Sequence, residues 1–241
     1  MNYGPLIFLG VFFTVAASWL GVVLGPHLQF GNDGPATTED TGITYPYARP
    51  GQAHQGAEVY RANGCLYCHT RQVRSKEYGS DLERHWGKRR TVARDFLWDQ
   101  PLMLGTLRLG PDLANIGARE TNTHALLLRL YNPRSVMPNS TMPRYPYLFE
   151  KRPIKPGQEA SPDAVFVDKS SSDRNIEIVP KPEAYQLVAY LQSQKAEAVI
   201  LEVLPPLPPG GATNVVSPGG TNAAIATPAT NAPATNAPSA K

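Results

Sequence analysis

Cysteine is nearly absent from this chain: Cys65 and Cys68 are the only two among 241 residues. That excludes a disulfide framework and a four-cysteine zinc site. Neither sign of charge dominates. With 23 basic and 20 acidic residues the net charge is +3, so a polyanionic partner such as a nucleic acid is not expected. Before Asp33 the chain has no Asp, Glu, Lys or Arg at all. From Pro205 onward it has almost no charge and no aromatic residue, only near-repeats such as ATPATNAPATNAPSAK. Such a segment cannot build a core, and 198–241 reads as a disordered tail.

The charge-free start contains a long apolar run, PLIFLGVFFTVAASWLGVVL, from Pro5 to Leu24. Some 20 helical residues at ~1.5 Å each span a hydrocarbon layer of ~30 Å. Trp19 and His27 lie toward its outer end, as interfacial residues do. A cleaved signal peptide would have basic residues before the run and a shorter apolar core. Met1-Asn2-Tyr3-Gly4 has none, and no cysteine follows closely to carry a lipid. Residues 1–27 are therefore expected to be an uncleaved transmembrane anchor in the lipid bilayer, and 28–51 a linker rich in Gly, Pro, Thr and Asp.

The two cysteines fall in Cys65-Leu66-Tyr67-Cys68-His69, a Cys-x-x-Cys-His run. This is the attachment pattern of a covalent c-type haem. Two thiols three positions apart reach the two vinyl groups on one porphyrin edge, and the following histidine lies under the iron. A redox thiol pair would need a βαβ setting, which is missing, and a zinc ion would need a fourth ligand. One covalent haem c is expected, held by Cys65 and Cys68 with His69 on the iron. Since c-type haem is attached on the outer side of the bacterial cytoplasmic membrane, residues from about 28 onward should be periplasmic.

Helical patterns frame the motif. Residues 52–63 read as a helix with Gly56 and Tyr60 on one face, the glycine allowing another helix close. Residues 121–131 carry Leu126, Leu127 and Leu130 on one face, with caps at Thr121-Asn122-Thr123 and a stop at Asn132-Pro133. Ala184, Leu187, Val188 and Leu191 mark a helix over 182–195, begun by Pro182-Glu183 and expected to cross the first near Gly56. Residues 133–156 contain six prolines and read as extended loop. Weak strand character shows at Ala164–Val167 and Ile176–Val179.

A haem that only transfers electrons needs a second axial ligand. Met103, Met137, Met142, His85 and His124 follow the motif, and both Met137 and Met142 precede proline in a stiff loop. Arg71, Arg74, Lys76, Arg84, Lys88, Arg89, Arg90 and Arg94 make 71–94 locally basic, which reads either as a solvated face or as partners for haem propionates or an acidic subunit.

Gly110-Pro111-Asp112-Leu113, the Met-Pro loop and the closing helix together resemble class I cytochromes c. The chain is still more similar to the monohaem cytochrome c subunit of cbb-type cytochrome c oxidases. The shared stretches are Gly64–His69, Gln72-Val73-Arg74, Trp98-Asp99-Gln100-Pro101, Leu109–Ala114, and Tyr131-Asn132-Pro133-Arg134-Ser135-Val136 running on to Met142-Pro143-Arg144-Tyr145-Pro146-Tyr147-Leu148. The resemblance implies a mainly α fold: one transmembrane helix and a class I cytochrome c-like periplasmic domain with long loops, here over 52–197. It implies Met142 as the distal ligand and Pro111 as the carbonyl that fixes His69. Arg74 and Arg134, in the matching stretches, would pair with propionates or a partner subunit. It implies no catalytic residue in this chain alone. Electrons would come from another c-type cytochrome subunit or a soluble cytochrome and pass to the catalytic haem–copper oxidase subunit. A nitric oxide reductase-like subunit or a tethered shuttle would share the anchor and the motif. Leu104, Ala125, Leu126 and Arg129 depart from the family's residues at those places, and 157–179 and the tail look additional.

Overall fold

The N-terminal apolar run folds as one helix, α1 (Gly4–Phe30), in a computed structural model that describes residues 2–31, 33–38, 42–155, 157–168 and 176–200. The helix is long and apolar enough to cross a membrane, and none of its residues is buried against the rest of the protein. Thr14 turns its hydroxyl back to the Gly10 carbonyl at 2.7 Å, so that hydroxyl is satisfied within the helix. Over Leu20–Leu24 the winding widens by one residue per turn, with the Gly25 N–H reaching Leu20 O. Pro26 follows immediately; it has no N–H to donate and its ring crowds the preceding turn, which the wider turn relieves.

Beyond α1, a short antiparallel pair, β1 (Ala36–Thr37) with β2 (Thr44–Tyr45), leads to α2 (Gly51–Ala62). The other helices are α3 (Ile116–Arg119), α4 (Thr123–Tyr131), α5 (Pro133–Val136) and α6 (Pro182–Ser193). Asn122 caps α4 by accepting from the Ala125 N–H at 3.1 Å. Pro182 opens α6, where its missing N–H costs nothing, and Glu183 sits in the positive first turn.

The pairing of α2 with α6 is the backbone of the domain. A Cβ on Gly56 would overlap the Gln186 carbonyl oxygen and lie 2.8 Å from Tyr190 Cβ. Only hydrogen at that position lets the helices touch, as the sequence pattern anticipates. Tyr60 and Tyr190 then pack across the crossing with their rings tilted by 54° and their centroids 5.2 Å apart. Gly117 repeats the device, bringing α3 against Gln192 of α6. Leu126, Leu127 and Leu130 of α4 complete the core with Leu187, Val188 and Leu191.

The proline-rich stretch is more ordered than an extended loop. Pro133 starts α5, and Phe149–Pro153 forms β3. A three-stranded antiparallel sheet results, with β5 (Ile176–Pro180) between β3 and β4 (Phe166–Asp168). Glu150 pairs with Val179 and Phe166 with Ile178. Pro153 is tolerated because β3 is an edge strand. The tail read as disordered lies, from residue 201, outside the described residues.

Residues 28–51, read as a linker, are partly docked. Tyr45 is buried and its hydroxyl donates to Asp95 at 2.5 Å. Trp98 donates its indole N–H to Pro46 O at 3.0 Å, Arg94 reaches Asp33 and Gly34 O, and Arg49 pairs with Asp99.

Candidate haem site

Helix α2 ends at Asn63, and Gly64 follows with φ +66°, the left-handed conformation in which glycine commonly terminates helices. One tight turn, Cys65–Tyr67, comes next. Cys68 N–H and His69 N–H both donate to the Cys65 carbonyl, at 3.2 and 3.0 Å. Side chains three apart on such a turn lie above one another, so both thiols are offered to one side. Both cysteines are free and half-buried.

Nδ1 of His69 lies 2.9 Å from the Pro111 carbonyl oxygen. A carbonyl only accepts, so Nδ1 carries the proton and Nε2 keeps its lone pair for a metal. Gly110 lies flat against the ring: a Cβ there would be 2.7 Å from Nδ1 and 2.9 Å from Nε2. Gly105, at φ +79°, passes equally close to the His69 carbonyl. Backbone bonds from Gly110 N to Cys68 O (3.0 Å) and from Leu113 N to Thr70 O (2.8 Å) fasten the two segments side by side.

The thiol environment argues against two other chemistries. Burial, reinforced by Cys68, pushes the Cys65 thiol up to about 11. A dithiol redox centre needs the reverse, a thiolate stabilised near neutral pH. Among the described residues no group of three His, Cys, Asp or Glu is placed to hold a metal ion, so the turn gives the zinc reading no support. A ring held by Nδ1 alone and two thiols on one turn fit a covalent haem.

The loop after α5 folds back toward this turn. Tyr147 donates its hydroxyl to Asn63, two residues before Cys65. Burial and the nearby thiols of Cys65 and Cys68, with Tyr147, push the Tyr145 phenol up to about 12. Met142, in the same loop, is half-buried against the core that Cys65 and Leu66 also touch. Met137 is 64% exposed, whereas Met103 is a core residue. His54, His85 and His124 are exposed.

The structure thus gathers Cys65, Cys68, His69, Pro111 and the loop of Met142. It does not draw in Arg74 or Arg134. Both are exposed, and no described contact ties either to the cysteine turn. The basic stretch is also not uniformly solvated. Arg71 is buried, donating to Asp99 at 2.5 Å and Gln194 at 2.6 Å and lying against Phe96 and Tyr190. Burial pulls its pKa down, but Tyr190 and Asp99 more than restore it, so it remains charged. Arg89 is likewise buried in a two-pronged pair with Asp95, at 2.8 and 2.9 Å. Sequence reasoning missed these pairs. Their one trace is that Asp95 and Asp99 punctuate the end of the basic run.

Over residues 35–161 the chain matches the family described as cytochrome C oxidase, mono-heme subunit/FixO. The chain belongs to that family. The match covers more than half of its 241 residues, including the cysteine turn, Pro111 and Met142. As a FixO-family chain it is an electron-transfer subunit of a membrane-bound cbb-type cytochrome c oxidase, and haem is its cofactor. No curated protein matches it.

Proposed function

We propose that this FixO-family chain carries one covalent haem c on a periplasmic domain of the bacterial inner membrane. It relays single electrons from another c-type cytochrome, subunit or soluble, to the catalytic haem–copper subunit. The supporting observation is the turn that offers Cys65 and Cys68 together while Pro111 holds His69 by Nδ1, leaving Nε2 free. When bound, haem supplies a one-electron Fe(III)/Fe(II) couple. The protein does the rest. Cys65 and Cys68 would fix the porphyrin edge, and His69 would be the proximal ligand. Pro111 raises the basicity of that imidazole by accepting the hydrogen bond from its Nδ1–H. Met142 would be the distal ligand, its thioether favouring the reduced state. The buried residues around Cys65 keep water from that side. Arg74 and Arg134, exposed and available, would meet propionates or an acidic partner surface. The domain would be 52–197, with 1–27 packed on the helices of the large subunit.

Purification of the tagged chain from native membranes in mild detergent tests this. Haem c, haem b and cytochrome c-driven oxygen uptake should elute together with it. Elution with haem c alone, under conditions that keep other membrane complexes intact, would refute the oxidase assignment.

A further inference from the structure

We propose that Asp112 is a positioning residue for His69, setting the orientation of the imidazole through Thr70 and Gln72; this rests on the haem reading above. Asp112 is 0% exposed, and a carboxylate so placed is costly unless its oxygens are fully bonded. Its Oδ2 accepts from Thr70 Oγ1 at 2.6 Å and from the Gln72 N–H at 2.7 Å, and its Oδ1 accepts from the Ala114 N–H at 2.8 Å. Arg108 stands 3.8 Å away and is itself bonded to Asp81 and to the Gln72 carbonyl. The carboxylate is therefore held by neutral donors, and two of the three come from the segment that begins at His69.

The location gives these bonds their meaning. The carbonyl that accepts the hydrogen bond from His69 Nδ1–H belongs to Pro111, which has no N–H with which to be anchored. The direction of that carbonyl is fixed by its neighbours. Gly110 is tied to Cys68 and Leu113 to Thr70 by backbone bonds. Between them, the Asp112 side chain bridges to Thr70 and Gln72 and closes the remaining freedom of the Pro111–Asp112 peptide. If the bridge slackens, Pro111 O swings relative to Nδ1 and the ring turns with it. Gly110 offers no side chain to stop the rotation.

A staple that serves stability alone would lower the melting temperature and nothing else. Orientation of an axial imidazole is read independently, from the g values of the ferric haem and from its midpoint potential. The full chain in detergent is first checked for covalent haem c with low-spin ferric iron; failure there refutes the haem reading itself. Given that spectrum, Thr70→Val and Asp112→Asn should each shift the g values. Asp112→Asn should also raise the potential, because it removes a negative charge beside the site. Thr70→Ser, which keeps the hydroxyl, should restore the parent values. If Thr70→Val and Asp112→Asn melt earlier but keep the parental g values and potential, the positioning role is wrong. Should Asp112→Asn fail to accumulate, the Thr70→Val and Thr70→Ser pair decides alone.

Discussion

Replacing Asp99 by asparagine should be among the most damaging single changes in the domain. The Asp99 carboxylate is shared by Arg49 and Arg71, and the three side chains are 0%, 13% and 3% exposed respectively. Removing the acid leaves two buried guanidinium groups facing one amide. Breaking a buried pair in this way costs ~3–5 kcal/mol, and two stranded cations place this case near ~4–5 kcal/mol. Arg71→Met is the informative contrast. It leaves Asp99 paired with Arg49, fills the same volume, and loses the hydrogen bond to Gln194 and the contacts with the Phe96 and Tyr190 rings. That loss is worth ~2 kcal/mol. At ~2–4 °C per kcal/mol for a domain of this size, Asp99→Asn should melt ~8–20 °C below the parent and Arg71→Met ~4–8 °C below. Circular dichroism of the full chain in detergent measures both. An Arg71→Met variant less stable than Asp99→Asn, or an Asp99→Asn variant within two degrees of the parent, would show that the shared carboxylate is not the centre of the network.

Three further outcomes follow from the geometry. Gly56→Ala should destabilise the domain by ~3 kcal/mol in urea denaturation, because overlap with a helix backbone outweighs the ~1 kcal/mol gain in helix propensity. Met142→Ala should yield reduced haem that binds carbon monoxide rapidly, while Met137→Ala, altering an exposed side chain, should leave the absorption spectrum unchanged. Acid should weaken the fold through Asp81. Burial pushes its carboxyl up, but Arg108 and the Arg74 N–H more than reverse this and hold it below the usual 3.8. A depressed carboxyl stabilises above its unfolded pKa, and that contribution is lost as pH falls below about 4. Arg108→Gln should reduce this acid sensitivity, measured as the urea midpoint at pH 7 against pH 3.5.

What the sequence made legible was local. The apolar run of α1, the Gly56–Tyr60 face of α2, the leucines of α4 and the heptad-like face of α6 each signal themselves within a few residues; α2, α4 and α6 formed within two residues of their expected ends, while α1 runs on to Phe30, past the expected end of the anchor at residue 27. The cysteine turn is local too, since its chemistry lies in five consecutive positions. The features that escaped depend on partners far along the chain. Glu150-Lys151-Arg152 shows no strand alternation and becomes β3 only because β5 supplies the ladder. The burial of Arg71 is invisible without Asp99 and Gln194, which lie 28 and 123 residues away. Prolines mislead in the same region: Pro133 and Pro153 read as loop markers, yet they occupy a helix start and a strand edge, the two places where a missing N–H is harmless. Asp112 looked like one letter of a motif, and nothing in its neighbours announces three hydrogen bonds.

The grip of Arg94 on Asp33 and Gly34 sets a length scale. The membrane-length helix ends at Phe30, so three residues, 31–33, separate it from Gly34, where the domain takes hold. Fully extended, the four steps from Phe30 to Gly34 reach ~14 Å. A domain on so short a leash stays within that distance of its own membrane helix. Its local concentration at a neighbour packed against the same helix is set by geometry rather than by expression level, and a donor must come to it.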